Sequence, residues 1–293
     1  MKIAIFAGLG NQLFQYAYAH QISSQINSDI VFAIDNKPQE DRPFGLAPLI
    51  EVCPHVVSSK KEEIRNFTKP NNFMFKIFQN RNYLILGRFL ARNRVMQEKS
   101  PFQFDTEQYS SNRINMGYFQ NWKYVDSTWD LIYPEIKAVL AHQRVPTFLS
   151  SNYGNLGVVH IRRGDLIPSS NTMGLLDIDY YEESLKFLRE LFPELNVICI
   201  TDDVPNASTL AHKLGIQKVL GPRELSEWEA MALMAKAKFV VAANSTFSWW
   251  GGYLCSKNSG IAIIPTPWFK NWYQEIGSAF SFPGAKLVEA RFS

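Results

Sequence analysis

Two adjacent arginines, Arg162 and Arg163, lie beside a glycine in the segment His160 to Asp165. They follow an apolar run over residues 156–161 that predicts a buried strand. Arginine is favoured where a phosphate or a carboxylate must be held by two parallel hydrogen bonds. The segment therefore predicts phosphate binding. The alternative is a salt bridge between Arg162 and Asp165 that only closes the loop.

A second polar cluster, Asn244 to Ser248, follows a strand predicted over residues 239–243. It stands where a helix is predicted to begin. The first backbone N–H groups of a helix have no partner inside the helix and attract anions, so this helix start could bind a diphosphate. The alternative is that Ser245 caps the helix while Trp249 and Trp250 anchor it in the core.

Two further predicted strand ends carry polar residues. The segment Gly8 to Gln12 joins the first strand to a helix, and its glycines allow the backbone to approach a ligand closely. A plain turn over residues 8–11 is the alternative. Thr201, Asp202 and Asp203 follow a later strand, where the carboxylates could hold a divalent metal, cap the next helix or contact a ribose. Because the arginines already offer phosphate neutralisation, we expect no metal.

Alternating strands and helices must position these clusters. Residues 2–34 read as a β-α-β unit, and a turn-rich stretch over residues 146–155 precedes a second regular alternation. This pattern predicts an α/β protein with doubly wound parallel sheets. The predicted domains are residues 1–150 and residues 151–293. The predicted helix caps are Asp179, Asn206 or Ser208, and Ser226.

The composition is that of a globular protein: 46% of the 293 residues are hydrophobic and 19% are charged. A formal net charge of +3 is too small to argue for a polyanionic partner. The three cysteines have no C-x-x-C spacing, which argues against a disulfide framework and a zinc site. These features predict a protein of a reducing compartment.

The sequence has no apolar run long enough to cross a membrane. The first residues imitate a secretory signal, but Asn11, Gln12 and Gln15 interrupt the apolar run that a signal requires. We therefore expect a cytoplasmic chain without a leader. Peripheral contact of its basic surface with the inner membrane is an open alternative.

Four segments stand in a characteristic order along the chain: Gly8 to Ala17, His160 to Asp165, Thr201 to Asp203, and Asn244 to Gly251. In this order they resemble the α-1,2-fucosyltransferases of glycosyltransferase family 11. The H-x-R-R-x-D element is shared with α-1,6- and protein O-fucosyltransferases. The pairing of Gly-Asn-Gln-Leu-Phe-Gln-Tyr with Ser-Thr-Phe-Ser-Trp-Trp is much more specific to the family.

The resemblance implies a GT-B-like fold, in which two Rossmann-like domains face each other across a cleft. It implies GDP-β-L-fucose as the donor and a galactoside of an oligosaccharide or glycolipid as the acceptor. The reaction would invert the donor configuration to give an α-1,2 linkage, without a metal or other cofactor. Residues 1–150 would be the acceptor-side domain and residues 151–293 the GDP-fucose-binding domain. Synthesis of a bacterial surface glycan such as O-antigen is the implied setting.

The resemblance also implies roles for individual residues. Arg162 would hold the β-phosphate, and His160 would lie near the guanosine. Glu229 stands where the family reads guanine with a carboxylate, although aspartate is the usual residue there. Ser226 and Glu229 also have the spacing of a helix capping box. The complete set implied for donor binding is His160, Arg162, Arg163, Glu229, Asn244, Ser245, Thr246, Phe247, Gly8, Asn11 and Gln12. Of these, Asn11 and Gln12 would reach either the donor sugar or the acceptor.

A general base would have to accept the proton of the attacking hydroxyl group. Asp165 is the candidate, because it follows the arginines by only two or three residues. The same arginines would lower the pKa of Asp165 and weaken it as a base, so a role in orienting Arg162 is equally open. Asp177 and Asp179 are later alternatives.

Other classes of function fit the sequence less well. A non-catalytic sugar-nucleotide or glycan binder could retain the same phosphate site, and a fucosyltransferase of another linkage could share the motifs. A Rossmann oxidoreductase would require a complete G-x-G-x-x-G, which is missing after the first strand. Basic residues between 81 and 94 are interpreted as a solvated helix face, so we expect no nucleic-acid partner. The aromatic stretch Met116 to Trp122 could line an acceptor site.

Overall fold

The computed structural model describes residues 1–34, 44–52, 56–58, 95–144, 155–271 and 277–293. These residues form two compact α/β units, Met1–Ile136 and Lys137–Ser293. The predicted boundary between residues 150 and 151 lies outside the described residues, as do the arginines between 81 and 94.

The N-terminal unit contains a five-stranded sheet in which every pairing is parallel. Its strands are β1 (Lys2–Ile5), β2 (Ile30–Ile34), β3 (Val56–Ser58), β4 (Val95–Gln97) and β5 (Ile114–Met116). Their order across the sheet is β3-β2-β1-β5-β4. The strand order therefore reverses between β1 and β5. Ligands of open α/β sheets bind at such a reversal, beyond the carboxyl ends of the strands.

Helices of this unit follow or connect the strands. They are α1 (Leu9–Ile26), α2 (Ala47–Val52), α3 (Trp122–Ser127) and α4 (Trp129–Ala141), the last of which contains the division between the units. Helix α1 begins directly after Gly8, so Leu9, Gly10 and Asn11, which one interpretation placed in a plain turn, form its first turn. The inner side chains of this helix, such as Phe14 and Tyr18, are fully buried.

The C-terminal unit contains a six-stranded sheet that is also entirely parallel. Its strands are β6 (Leu156–Ile161), β7 (Asn196–Thr201), β8 (Lys218–Leu220), β9 (Phe239–Val241), β10 (Ile261–Thr266) and β11 (Lys286–Glu289). Their order is β11-β10-β9-β6-β7-β8, with the reversal between β6 and β9. The predicted α/β class with parallel sheets is confirmed.

Helices of the C-terminal unit are α5 (Ser170–Met173), α6 (Ile178–Leu191), α7 (Val204–Lys213), α8 (Glu227–Lys236), α9 (Thr246–Lys257) and α10 (Gly277–Phe280). Two predicted caps are wrong. Asp177, not Asp179, caps α6, and Asp203, not Asn206 or Ser208, caps α7. In both cases the cap lies earlier than predicted, because the loop before the helix is shorter than the sequence suggested.

The core of the C-terminal unit explains why the polar segments stay at the strand ends. All six residues of β6 are buried, as expected for a strand covered on both faces. A Cβ atom on Gly157 would lie 1.9 Å from the ring of Phe239, so glycine is required for β6 and β9 to pair. Trp249 and Trp250 are fully buried and anchor α9, as one interpretation of this segment expects. Within the described ranges, none of the helices has the length and apolarity needed to span a membrane.

Candidate functional site

Three polar segments of the C-terminal unit follow three neighbouring strands. The loop after β6 begins at Arg162, the loop after β7 begins at Asp202, and the loop between β9 and α9 ends at Ser245. Because β6 lies between β7 and β9 and all three strands run parallel, their carboxyl ends share one edge of the sheet. We call this the C-terminal edge.

Arg162 connects two of these loops. Its Nε and Nη2 donate to the two carboxylate oxygens of Asp165 at 2.9 and 2.7 Å, and its Nη1 donates to Ser245 Oγ at 2.8 Å. A guanidinium group carries five N–H bonds. Three are used here, which leaves one hydrogen on Nη1 and one on Nη2 without a partner in the described chain. The side chain is 18% exposed, so these two donors are held in a partly desolvated place.

Asp202 fixes the backbone of the loop that carries Arg162. Its Oδ1 accepts from the backbone N–H of Arg163 at 2.9 Å and of Gly164 at 3.4 Å. A Cβ atom on Gly164 would lie 3.0 Å from Asp202 Oδ2, so the glycine allows this close approach. The Oδ2 atom also lies 3.9 Å from Arg162 Nε. Asp202 thus braces the arginine loop, a role that differs from the metal, cap and ribose roles considered from sequence.

Asp203 has the capping role that the sequence left open for this segment. Its carboxylate accepts from the backbone N–H of Asn206 at 3.2 Å and from the Asn206 side chain at 2.6 Å. Thr201 Oγ1 accepts from the backbone N–H of Asp203 at 3.1 Å. Among the described residues, no three His, Cys, Asp or Glu side chains are grouped as a metal would require.

His160 is a neutral, buried side chain behind the arginine. It is 3% exposed, and burial lowers its pKa to about 4, with Arg162 adding to the lowering and Asp202 opposing it. Within the described chain its Nδ1 has no hydrogen-bond partner. Its ring centre lies 5.8 Å from that of Phe247 in the first turn of α9. A buried polar atom without a partner is rare in folded proteins, and it marks His160 as a residue of interest at this edge.

The start of α9 presents both hydroxyl and backbone donors. Ser245 occupies the N-cap position, but its side chain accepts from Arg162 and makes no capping hydrogen bond. Ser248, in the same helix, accepts instead from the backbone N–H of Ala243 at 3.1 Å and so ties the helix start to the segment that follows β9. Thr246 and Phe247 are half-buried in the first turn. The arrangement keeps the helix N-terminus next to the Arg162 guanidinium.

Two of the predicted donor-binding residues hold a neighbouring loop in this structure. Asn244 is 4% exposed, and its amide donates to the carbonyl groups of Met173 and Gly174 at 3.2 and 3.1 Å. Arg163 donates from Nη2 to the carbonyl of Leu176 at 3.0 Å. Arg162 and Arg163 therefore have separate partners: the first faces α9, and the second faces the loop before α6.

Glu229 lies in the first turn of α8 and closes a capping box with Ser226. Its Oε2 accepts from the backbone N–H of Ser226 at 2.8 Å, and the Ser226 hydroxyl accepts from the backbone N–H of Glu229 at 3.2 Å. The capping alternative is thus observed. The capping box uses only Oε2 of this half-buried carboxylate, which leaves Oε1 for another contact. The predicted contact with guanine stays a prediction.

The N-terminal residues singled out from sequence lie together in their own unit. Gly8 is the N-cap of α1. Gln12 is 2% exposed; its amide donates to the carbonyl of Ala7 at 2.6 Å and accepts from the backbone N–H of Gly45 at 2.9 Å. Asn11 Oδ1 accepts from the Gln120 side chain at 2.6 Å. Gln12 thus links Ala7 to Gly45, whereas Asn11 joins the first turn of α1 to the loop after β5 at the reversal of the sheet.

Sequence reasoning missed two groups that build these edges. Glu98, directly after β4, accepts from the backbone N–H groups of Tyr118 and Phe119 at 2.7 and 2.8 Å. Gln15 bridges the loops after β1 and β5, and it was noted only as an interruption of an apolar run. A glutamate at the end of a short strand carries no distinctive spacing, so only the three-dimensional contacts reveal it.

Comparison with known proteins gives consistent matches over most of the chain. The model of "Glycosyl transferase family 11" matches residues 1–281. The chain is 27% identical to "O-antigen biosynthesis glycosyltransferase WbnK" of Escherichia coli, over 92% of this chain and 95% of that protein. It is 28% identical to "Alpha-1,2-colitosyltransferase" of Escherichia coli, over 90% of each. The solved structure "E. coli heptosyltransferase WaaC with ADP" aligns with 99% of this chain and 93% of its own, at 13% identity and a TM-score of 0.51, which indicates a shared fold.

Proposed function

The chain belongs to glycosyl transferase family 11, and from that premise we propose that it transfers L-fucose from GDP-β-L-fucose to the 2-hydroxyl group of a galactoside. The reaction is a single inverting displacement that forms an α-1,2 linkage and needs no metal. The name of one relative, an alpha-1,2-colitosyltransferase, supports the linkage. The name of the other supports a role in O-antigen synthesis.

The observation that carries the proposal is the Arg162 guanidinium, fixed by Asp165 and Ser245 beside the start of α9. Cleavage of the fucose–phosphate bond leaves negative charge on the β-phosphate, while the sugar takes on oxocarbenium character. A fixed guanidinium and a helix N-terminus stabilise that charge as it develops, and they need no reorganisation during the reaction. The leaving group is therefore assisted by positioned donors of this chain.

Other residues of the C-terminal edge complete the proposed donor site. Ser245, Thr246 and Phe247 bind the diphosphate from the first turn of α9. Neutral His160 lies behind Arg162 and adds no second positive charge beside the nucleotide. Arg163 and Asn244 support the same edge through the loop before α6. Glu229 recognises guanine with the carboxylate oxygen that the capping box does not use.

Asp165 is proposed to orient Arg162, because both of its oxygens accept from that guanidinium. A base-catalysis role for Asp165 is the second outcome of the test described in the Discussion. The N-terminal unit is proposed to bind the acceptor, with Gly8, Asn11 and Gln12 at the ligand edge of its sheet. A cytoplasmic location with peripheral membrane contact belongs to the same proposal.

The test is an assay with GDP-fucose and a panel of β-galactosides, followed by linkage analysis of the product. We expect GDP release that depends on the acceptor, an α-1,2-linked product, and full activity in excess EDTA. GDP binding without turnover on any acceptor would instead indicate a non-catalytic binder. Loss of activity in EDTA that returns with Mn²⁺ or Mg²⁺ would contradict metal independence. A parallel assay with GDP-colitose tests colitose as the alternative donor sugar, because one relative is named an alpha-1,2-colitosyltransferase.

A further inference from the structure

The loops after β1 and β5 and the first turn of α1 lie at the reversal of the N-terminal sheet and bring together an uncharged set of side chains. Phe6 and Tyr118 form an edge-to-face pair with ring centres 5.0 Å apart. Beside them the Gln120 amide donates to Asn11 Oδ1 at 2.6 Å. All four side chains are half-buried, so each keeps part of its surface accessible. We call these four residues the aromatic–amide cluster.

The side chains of Gln15 and Glu98 hold the backbone of the loops after β1 and β5. Gln15, fully buried, accepts from the N–H of Phe6 and donates to the carbonyl of Gly117, both at 3.1 Å, which ties the two loops together. Glu98 accepts from the N–H groups of Tyr118 and Phe119. A Cβ atom on Gly117 would lie 2.5 Å from Glu98, so glycine is required there.

Both loops also contain a non-glycine residue with positive φ. Ala7 has φ of 64° on the β1 loop, and Phe119 has φ of 51° on the β5 loop. Such residues cost free energy and persist where the surrounding structure holds them. The ring of Phe119 is held by stacking on Tyr18 with ring centres 3.6 Å apart. The loop thereby turns the neighbouring Tyr118 and Gln120 to the ligand edge.

The chemistry of the cluster selects a neutral, hydroxyl-rich ligand. An aromatic face packs against the C–H groups of a pyranose ring, and amide groups both donate to and accept from hydroxyls. Gln120 Oε1 has no hydrogen-bond partner among the described residues, so it can accept from a sugar hydroxyl. The Glu98 side chain, which braces the loop after β5, already accepts from two backbone N–H groups. A phosphate would find no cation in this set of side chains.

We infer that Phe6, Tyr118, Asn11 and Gln120 form the binding subsite for the acceptor sugar, a neutral β-galactopyranose ring. The inference rests on the proposed function, because a galactoside acceptor is part of that proposal. It assigns Tyr118 to stacking and the Asn11–Gln120 pair to hydroxyl recognition. Glu98 and Gln15 are positioning residues, which act through the two loops.

The test measures sugar binding separately from donor binding. Lactose is the probe for the subsite, by saturation-transfer NMR titration, and GDP is the probe for the donor site, by calorimetry. Tyr118→Ala and Gln120→Ala are each expected to weaken lactose binding about tenfold while GDP affinity stays within twofold of the parent. The matched control is Tyr109→Ala, which removes a 38%-exposed tyrosine of the same unit outside the cluster and should change neither affinity.

The outcomes separate this inference from the proposed function. Unchanged lactose affinity in folded Tyr118→Ala and Gln120→Ala overturns the subsite, as does a parent protein that binds GDP but no lactose. A parent protein that binds lactose but not GDP contradicts the proposed donor while leaving the subsite standing. If Tyr118→Ala does not fold, Gln120→Ala decides alone, because that side chain has a single described hydrogen bond, to Asn11.

Discussion

In each of the two sheets, an acidic side chain after one strand accepts from two backbone N–H groups of a neighbouring loop, but the two loops differ in the side chains that they present. In the C-terminal unit Asp202, after β7, accepts from two backbone N–H groups of the neighbouring β6 loop. In the N-terminal unit Glu98, after β4, does the same for the β5 loop. The loop held by Asp202 presents an arginine, whereas the loop held by Glu98 presents a tyrosine and a glutamine. A common backbone device thus supports a charged edge in one unit and a neutral edge in the other.

The surroundings of the two braces differ as well. The Asp202 side chain is 35% exposed and has Arg162 nearby. Glu98 lies in a more apolar place, and burial raises its pKa to about 8, although its two backbone hydrogen bonds work against the rise. The comparison teaches that strand topology fixes which loops lie side by side, while the side chains on each loop decide the charge that the edge presents.

The largest expected effect is at the charged edge. Arg162→Ala should lower kcat/KM by at least about 100-fold, roughly 3 kcal/mol, because it removes a fixed donor from the leaving phosphate. Arg162→Lys should restore little, since an ammonium cannot reproduce the guanidinium fork. Steady-state kinetics with GDP-fucose measure both, and Arg223→Ala, at an exposed arginine of the same unit, is the control. Near-normal turnover of the lysine variant would show that Arg162 does not hold the phosphate.

Asp165→Asn should weaken GDP binding about tenfold and lower turnover in parallel, because the Arg162 fork loses its charged partner. Calorimetry of GDP binding and single-turnover rates must be measured separately. A turnover loss of about 100-fold or more with unchanged GDP affinity would instead identify Asp165 as the general base.

The neutral edge should respond to pH through Glu98. Its folded pKa of about 8 lies above the usual value of 4.5, so between these pH values the folded protein holds a proton that the unfolded chain has lost. This group therefore makes the free energy of unfolding fall as the pH rises from 4.5 to 8. Denaturant titrations across this window should show a shallower fall in Glu98→Gln than in the parent. The control is Glu107→Gln, at an exposed glutamate of the same unit; an equal slope in Glu98→Gln and parent would contradict the prediction.

The smallest effect concerns Glu229. Glutamine can also close a capping box, so Glu229→Gln should leave the free energy of unfolding nearly unchanged, whereas Glu229→Ala should lower it by about 1 kcal/mol. If the carboxylate also reads guanine, both variants weaken GDP binding and reduce the preference for GDP over ADP. Unchanged nucleotide affinity in both variants would leave only the capping role.

The sequence predicted the architecture well where the signals were local. Continuous apolar runs such as residues 156–161 predicted buried parallel strands, and the alternation of elements predicted two α/β sheets. The Arg162–Asp165 salt bridge and the Ser226–Glu229 capping box were both foreseen as alternatives, since each depends on residues three positions apart. Helix caps were less predictable, because Asp177 and Asp203 compete with other polar residues two to five positions later in the chain.

Long-range contacts could not be predicted from sequence. Asp202 reaches the backbone of a loop 39 positions earlier, and Gln15 reaches Gly117 across 102 positions. Such contacts depend on which strands become neighbours, and strand order leaves no mark in local periodicity. Glu98 was missed for this reason, although the aromatic stretch Met116 to Trp122 beside it was noted.

The three hydrogen bonds of Arg162 also have a consequence for the speed of donor binding. A free arginine side chain loses up to about 2 kcal/mol of conformational entropy when it is ordered. Here Asp165 and Ser245 order the side chain during folding, so the arriving diphosphate does not have to. Association should then be limited by diffusion and by long-range attraction to the cation, and it should slow with added salt rather than show a separate ordering step. Differences in affinity among nucleotides would arise mainly from how long each one stays bound.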